Sequence, residues 1–438
     1  MRIALEIIVW LFVAVCAVML IFYSVNIHLS RKYFSRREKT IDNIETKINM
    51  IVILPCLREQ NVIAGSLDYF YRMSTNNVNL YVLVACTKRE LSSNKSYGFE
   101  QSSAEIARDF IKQNVATNGA CAYVYEANDF DRGDRATQMN YAVDSFLSEH
   151  PDIKIDIIAA FDADSRPTPE TFDEVAAKFM KNPAVSYQQP DEYIGSAHSI
   201  WKNDKKLLAS ANAVYQNEWT MITEIPMLVK YGKSNGKYRG YFYCNGHGEF
   251  FPLSVWKKIR FPEHEITDGI HIGYRLGMAG FPVEILDNYG NTDAPHSVRQ
   301  LPKQHKRWFG GCMRLLSCYR WCKENGYKPK KTMVISGLWS QFRWAFTANI
   351  YLICLAMSIV LAALYRSFFP LFSMILIFVV YFYALGTISL LLSPSKNKVC
   401  FLSVLMAPIA MYVKSIGPQI YIFEKIFRRK QVYEKVER

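Results

Sequence analysis

Residues 3–23, 345–365 and 368–392 are apolar almost without interruption. Each has about the length a bilayer demands of a helix, roughly 20 residues. Hydrocarbon offers no water to backbone N–H and C=O groups, so segments like these cross it as helices. This excludes a wholly water-soluble chain and confines any soluble domain to the residues between the first stretch and the second. The first stretch holds one charge, Glu6, and no basic run beyond Arg2 precedes it, so a retained helix is expected, not a cleaved leader. A further stretch, 399–423, is interrupted by Pro408, Lys414 and Pro418. It is expected either to span or to lie as a broken or interfacial segment. The basic run "RKYFSRREK" at 31–39 follows the first helix. Basic residues beside a span favour the cytoplasmic side, so the expectation is an integral protein of the plasma (inner) membrane with its soluble part, and its basic tail, in the cytoplasm.

The formal net charge is +13. It is concentrated at 31–39, 303–331 and 425–438, beside the apolar segments, which suits anionic lipid headgroups as partners and argues against nucleic acid. Ten cysteines occur with no CxxC pair, the pattern of a reduced compartment. Cys312, Cys318 and Cys322 fit no zinc spacing and are expected to pack. The expected division is a membrane helix at 1–28, a soluble domain at 29–302, an interface segment at 303–344, and a membrane region with a basic tail at 345–438.

Within the soluble part, "KINMIVILP", "NLYVLVAC", "CAYVYEA" and "IDIIAAFD" read as strands. Helical periodicity lies between them in "EQNVIAGSLDYFYRM", "SSAEIARDFIKQN" and "TQMNYAVDSFLSEH". Such a succession predicts an α/β fold, a mostly parallel sheet flanked by helices, with ligands bound beyond the strand C-termini.

At one of those ends stands "IIAAFDADSRPTPE", 157–170. Asp162 and Asp164, at i and i+2 of an extended segment, face one way. They read either as an Asp-rich turn or as ligands of a cation. Arg132 and Arg135 precede a helix whose N-terminus suits a phosphate. Two carboxylates, an arginine and a helix N-terminus together suit a diphosphate, with Mg²⁺ or Mn²⁺ expected from the oxygen ligands.

Together with "LPCLREQ", "YCNGHGEFF", "EITDGIHIGYRLGMAG" and "QHKRW", these residues resemble the membrane-embedded family 2 glycosyltransferases of GT-A fold, the group of cellulose, chitin and hyaluronan synthases. The resemblance covers about residues 48 to 325 and the flanking membrane layout. It implies an inverting, metal-dependent transfer of sugar from a nucleotide-sugar, a UDP-sugar in that group, to a growing glycan. Leu57 and Glu59 would contact the nucleotide. Asp162 would meet the sugar-nucleotide and share the metal with Asp164. Asp268 would be the base, and Gln304, Arg307 and Trp308 would hold the diphosphate and the acceptor end. Arg135 is assigned to the donor, and Gly246 and His247 to the acceptor side, where flanking glycines permit close backbone approach to a ligand.

The sequence departs from the family pattern twice. The acidic pair that reads uracil is replaced by "ACTKRE", with Thr87, Lys88 and Glu90. Aligned on Gly273 and Arg275, the base position holds Gly269, leaving Asp268 as the candidate and Glu265 in reserve. His296 reads as a loop histidine with a third metal ligand as the rival. Trp308 is expected to open an amphipathic helix and Trp321 to rest at the headgroup layer. Two other functions compete: single transfer to a lipid-linked acceptor, and a non-catalytic membrane scaffold keeping the fold. Self-association remains open, since few spans make a thin wall for a translocation pore.

Overall fold

The computed structural model describes residues 1–35, 46–93, 98–128, 134–396 and 400–429. Arg132, part of the 31–39 run and most of the basic tail lie outside the described residues. The strands are β1 (Ile48–Pro55), β2 (Val78–Thr87), β3 (Cys121–Ala127), β4 (Ile157–Ala160), β5 (Ser186–Gln188), β6 (Asp191–Glu192), β7 (Glu249–Pro252), β8 (Val283–Ile285) and β9 (Gly290–Asn291). Seven form one sheet in the order β3-β2-β1-β4-β7-β5-β8, and β6 pairs with β9. Only β7 runs antiparallel to its neighbours in the large sheet, so the expected mostly parallel sheet is present.

The strands are apolar at nearly every position because both faces are covered. Ile51, Ile53, Leu83, Ile158 and Ala160 face one core, and Met50, Val52, Val82, Ile157 and Ala159 the other. Burying each large side chain stabilises by about 1.5–3 kcal/mol. The expected helices follow at Ile63–Arg72, Ser103–Gln113 and Arg135–Glu149. Ser102 and Glu105 close a capping box on the second, satisfying two otherwise unpaired N–H groups. The parallel pairs bring the C-terminal ends of β1, β2 and β4 to one rim.

Among the described residues, four helices are long and apolar enough to cross a membrane: Arg2–Ser35, Lys331–Tyr365, Phe369–Leu392 and Phe401–Ile426. The expected divisions at 28 and 344 fall inside two of them. At 1.5 Å per residue the first is about 51 Å long, well beyond the roughly 30 Å of a bilayer core. Its last turns dock on the soluble domain, where Asn26 Nδ2 donates to Ile222 O (2.9 Å), Ser30 Oγ to Met221 O (2.7 Å) and Tyr33 OH to Ile285 O (2.8 Å). The stretch 399–423, left open between a span and a broken segment, is one helix with Pro408 and Pro418 inside it. Each proline removes a single helical donor. Both prolines are buried, and the helix packs against the helices Leu207–Trp219 and Leu301–Cys312.

Candidate active site

The sheet rim opens into a cavity of about 1810 Å³. Leu57, Glu59, Arg135, Asp162, Asp164, Gly246, His247, Asp268, Gln304, Arg307 and Trp308 all line it. Every described residue assigned to the site from the sequence thus lines one cavity, although Leu57 and Trp308 lie 251 positions apart in the chain.

The aspartate pair follows β4, but not as an extended segment. Asp162 begins a turn closed by Ser165 N–H donating to its carbonyl (3.0 Å), so turn geometry and not strand alternation brings both side chains to the cavity. The helix Ile63–Arg72 fixes this loop: Ser66 Oγ donates to Ala163 O, and Tyr69 OH to Pro167 O (2.9 Å).

Arg135 is the first residue of its helix. The N-cap Asp134 accepts from Thr137 N–H (2.8 Å) and so sets that turn. The guanidinium then grips three elements: Nη1 reaches Asp268 Oδ2 (2.5 Å), while Nη2 reaches Asp162 Oδ1 (3.2 Å) and Gly246 O (2.9 Å).

Asp268 opens the helix Asp268–Ala279. The glycine after it has a packing reason: a Cβ on Gly269 would lie 2.0 Å from Gly246 Cα. No side chain fits there, and Asp268 is the carboxylate this turn presents to the cavity. Glu265 also lines the cavity, but its Oε2 accepts from Arg314 Nε (3.1 Å). The neighbouring His271 is fully buried and donates to Gly311 O (2.9 Å); burial lowers its pKa.

Gln304, Arg307 and Trp308 share the helix Leu301–Cys312. The expectation that Trp308 opens a helix is corrected: it lies in the second half, and the amphipathic run divides near Met313 into two helices. His305 packs edge-on against Trp308 and Trp344, with centroid distances of 5.0 and 5.6 Å. A Cβ on Gly417 would meet Lys306 N and Pro302 O at 2.5 Å, so the 401–426 helix lies hard against this one. Trp321, assigned to the interface from the sequence, is partly exposed. Arg275 lies 4.1 Å over its ring and Tyr327 stacks on it, so the ring also contacts the domain. Cys312, Cys318 and Cys322 are buried free thiols, as packing residues should be.

Two departures gain a physical explanation. Glu90 is buried beneath the cavity, with Oε1 accepting from Gln60 Nε2 (2.6 Å) and from Ser103 N and Oγ (both 2.9 Å). It holds two helices together and is not presented to a ligand. Arg58, Arg89 and Phe99 line that end of the cavity instead, and Arg58 adopts φ +61°, a conformation side chains rarely take. His296 pairs at the surface with Asp204 (2.6 Å) and does not line the cavity.

Some lining and supporting residues carried no sequence signal. Asp191 accepts from Asn245 Nδ2 (3.1 Å) and Thr292 Oγ1 (3.0 Å) and pairs with His247 Nε2 (2.8 Å), fixing the histidine ring. Glu249 lies behind Asp268 and accepts from Gly246 N–H (2.9 Å); burial, with Asp268 close by, pushes its pKa up to about 8. No group of three or more metal-type side chains occurs among the described residues. Asp162 and Asp164 offer only hard oxygen donors, which fit a Mg²⁺ or Mn²⁺ that completes its coordination from a diphosphate and water.

The sequence profile of glycosyl transferase family group 2 matches residues 157–387, more than half of the chain. The chain belongs to that family. Among solved structures, this glycosyltransferase is similar to the mannosyltransferase PcManGT from Pyrobaculum calidifontis, in complex with GDP-Man and Mn²⁺. The identity is 12%, the TM-score 0.52, and the match covers 94% of this chain and 99% of that one. At that identity the likeness is one of fold. S. aureus TarS 1-349 overlaps at 12% identity and TM-score 0.35, over 88% of this chain and 93% of TarS. No curated protein sequence matches the chain. A glycosyltransferase with a mostly parallel GT-A-like sheet and four membrane-type helices is therefore established.

Proposed function

We propose that the chain transfers a sugar from a nucleoside diphosphate sugar to a hydroxyl of a growing, membrane-delivered acceptor, with inversion. The single observation that carries this reading is Arg135 linking Asp162 to Asp268. It ties the candidate diphosphate-binding loop to the candidate base through one rigid side chain. The acceptor oxygen forms a bond to the anomeric carbon as the bond to the diphosphate breaks. Asp268 accepts the hydroxyl proton. Asp162 and Asp164 would hold the divalent ion, which neutralises charge on the leaving group when bound. Trp308 supplies a flat apolar face on which a sugar ring can rest, and Gln304 and Arg307 bond around it. Placing the hydroxyl in this way converts binding into rate.

The GDP-Man and Mn²⁺ in the mannosyltransferase support a nucleotide-sugar donor and a divalent ion, while Arg89 and Phe99 in place of an acidic pair leave a UDP-sugar without special support. The altered acidic motif no longer favours a scaffold, since Gly269 has a packing role. A cytoplasmic catalytic domain follows from where nucleotide-sugars are made. The test uses the purified full chain in lipid nanodiscs with Mn²⁺ or Mg²⁺ and a panel of nucleotide-sugars. Nucleoside diphosphate release and product masses are read for wild type and Asp164→Asn. Loss of metal-dependent turnover in the variant is expected; wild-type turnover would overturn the assignment.

A further inference from the structure

The cavity does not end at Trp308. It continues between the membrane-type helices and changes character. The sheet end is lined by Asp162, Asp164, Asp191 and Asp268 among other carboxylates, as a cation site should be. The membrane end carries Arg307, Arg343 and Lys414, with Glu224 as the carboxylate among its lining residues.

Two of these cations are poorly matched by their surroundings. Arg343 Nη1 donates to Tyr23 OH (2.8 Å), but its Nε is buried with no hydrogen-bond partner. Lys414 is 5% exposed and donates to the neutral Gln216 Oε1 (2.6 Å). Neither makes an ion pair with another described residue. Tyr215 is a neighbour of both: Lys414 Nζ lies 4.7 Å from its ring, and Arg343 acts on its hydroxyl. Glu224, the nearby lining carboxylate, forms no ion pair with either cation and instead accepts from Thr220 Oγ1 and Tyr243 OH (both 2.8 Å). Buried cations without counter-ions are costly unless a ligand supplies the anion. Beyond them the wall is hydrocarbon. Leu11, Phe12 and Val15 of the first helix line the cavity, yet Leu11 and Val15 are 64% and 50% exposed, so this wall opens sideways.

We propose that the membrane-side half of the cavity holds a lipid-linked acceptor, its hydrocarbon chain along Leu11, Phe12 and Val15, its phosphate on Arg343 and Lys414, and its sugar end at Trp308. This rests on the sugar-transfer reading and names the acceptor's chemical class. A neutral glycan has no use for two buried cations, and free phosphate has none for the apolar wall.

The test measures binding to the full chain in detergent micelles, by quenching of tryptophan fluorescence, with farnesyl phosphate, farnesol and inorganic phosphate. Wild type is expected to prefer farnesyl phosphate over farnesol by about tenfold, the value of one charge-assisted hydrogen bond, and over inorganic phosphate by more. Arg343→Gln and, separately, Lys414→Gln are expected to erase most of that preference, and Arg343→Lys to restore part of it. Equal affinity for farnesol and farnesyl phosphate in wild type, or an unaltered preference in both glutamine variants, overturns the proposal. So does tight binding of a neutral β-glucan oligosaccharide with no preference among the farnesyl probes. Donor hydrolysis in the same preparations reads the transferase assignment separately: hydrolysis without the preference sinks only the lipid site, and the preference without hydrolysis keeps the site and sinks the transferase reading.

Discussion

Arg135 and Asp268 lie 2.5 Å apart, joined through Nη1 and Oδ2, across 133 positions of sequence. The same guanidinium holds Asp162 through Nη2. Arg135→Lys keeps the charge but loses the planar fork that reaches two carboxylates at once. Turnover is expected to fall on the order of a hundredfold, with the donor bound more weakly. Steady-state kinetics over a range of donor concentrations check this, and wild-type kcat would contradict it.

Asp268→Asn is expected to lose about 10²- to 10⁴-fold in turnover, the usual worth of a positioned base, while still binding donor. Glu265→Gln, which weakens the contact with Arg314, is expected to cost far less. Donor titration beside single-turnover rates separates the two. If Glu265→Gln is the inactive variant, the base is misassigned.

Gly269→Ala places a methyl group 2.0 Å from Gly246 Cα. Backbone must move on both sides, and overpacking of this kind costs about 1–3 kcal/mol. A lowered thermal midpoint together with a displaced Asp268, read as lost turnover, is expected. Unchanged stability would mean that the two loops have room the structure does not record.

Glu249 gives a pH test with a definite sign. Its folded pKa is raised from 4.5 to about 8, chiefly by burial. Between those values the folded state holds a proton that the unfolded state has released, so stability falls as pH rises through the window and levels off above about 8. Glu249→Gln keeps an acceptor for Gly246 N–H and removes the titration. Thermal midpoints measured from acidic to mildly alkaline pH should slope downward less in the variant. Parallel curves would show that Glu249 does not titrate this way.

Trp308 and Trp321 should fail differently when each is replaced by alanine. Trp308→Ala removes the candidate sugar platform and should cut transfer on the order of a hundredfold with the fold retained. Trp321→Ala removes the ring beneath Arg275, 4.1 Å away, and should lower stability by about 0.5–2 kcal/mol with near-normal activity per folded molecule. Equal losses of transfer from both would place the acceptor elsewhere.

The sheet was legible because strands buried on both faces are written as unbroken apolar runs, as in Ile51 to Leu54. The site was legible where a motif is local: Asp162 with Asp164, and Gln304 with Arg307 and Trp308. Long-range closeness left no such trace. Nothing in the sequence says that Gly269 meets Gly246, that Asp191 clamps His247, or that Glu249 is buried behind Asp268. Proline left the reading of 399–423 open between a span and a broken segment, and packing on two neighbouring helices retains one helix there. Nor does the sequence say that Arg275 lies over the Trp321 ring.

The close approach of Gly417 to Lys306 and Pro302 has a consequence for how the enzyme can be handled. The helix bearing Gln304, Arg307 and Trp308 rests with its backbone directly on the last membrane-type helix, so anchor and active-site wall are one mechanical unit. A fragment cut before Phe401 would strip that wall bare, and a bilayer whose thickness tilts the last helix would move Trp308 with it. Lipid composition would then act on the catalytic rate through geometry alone.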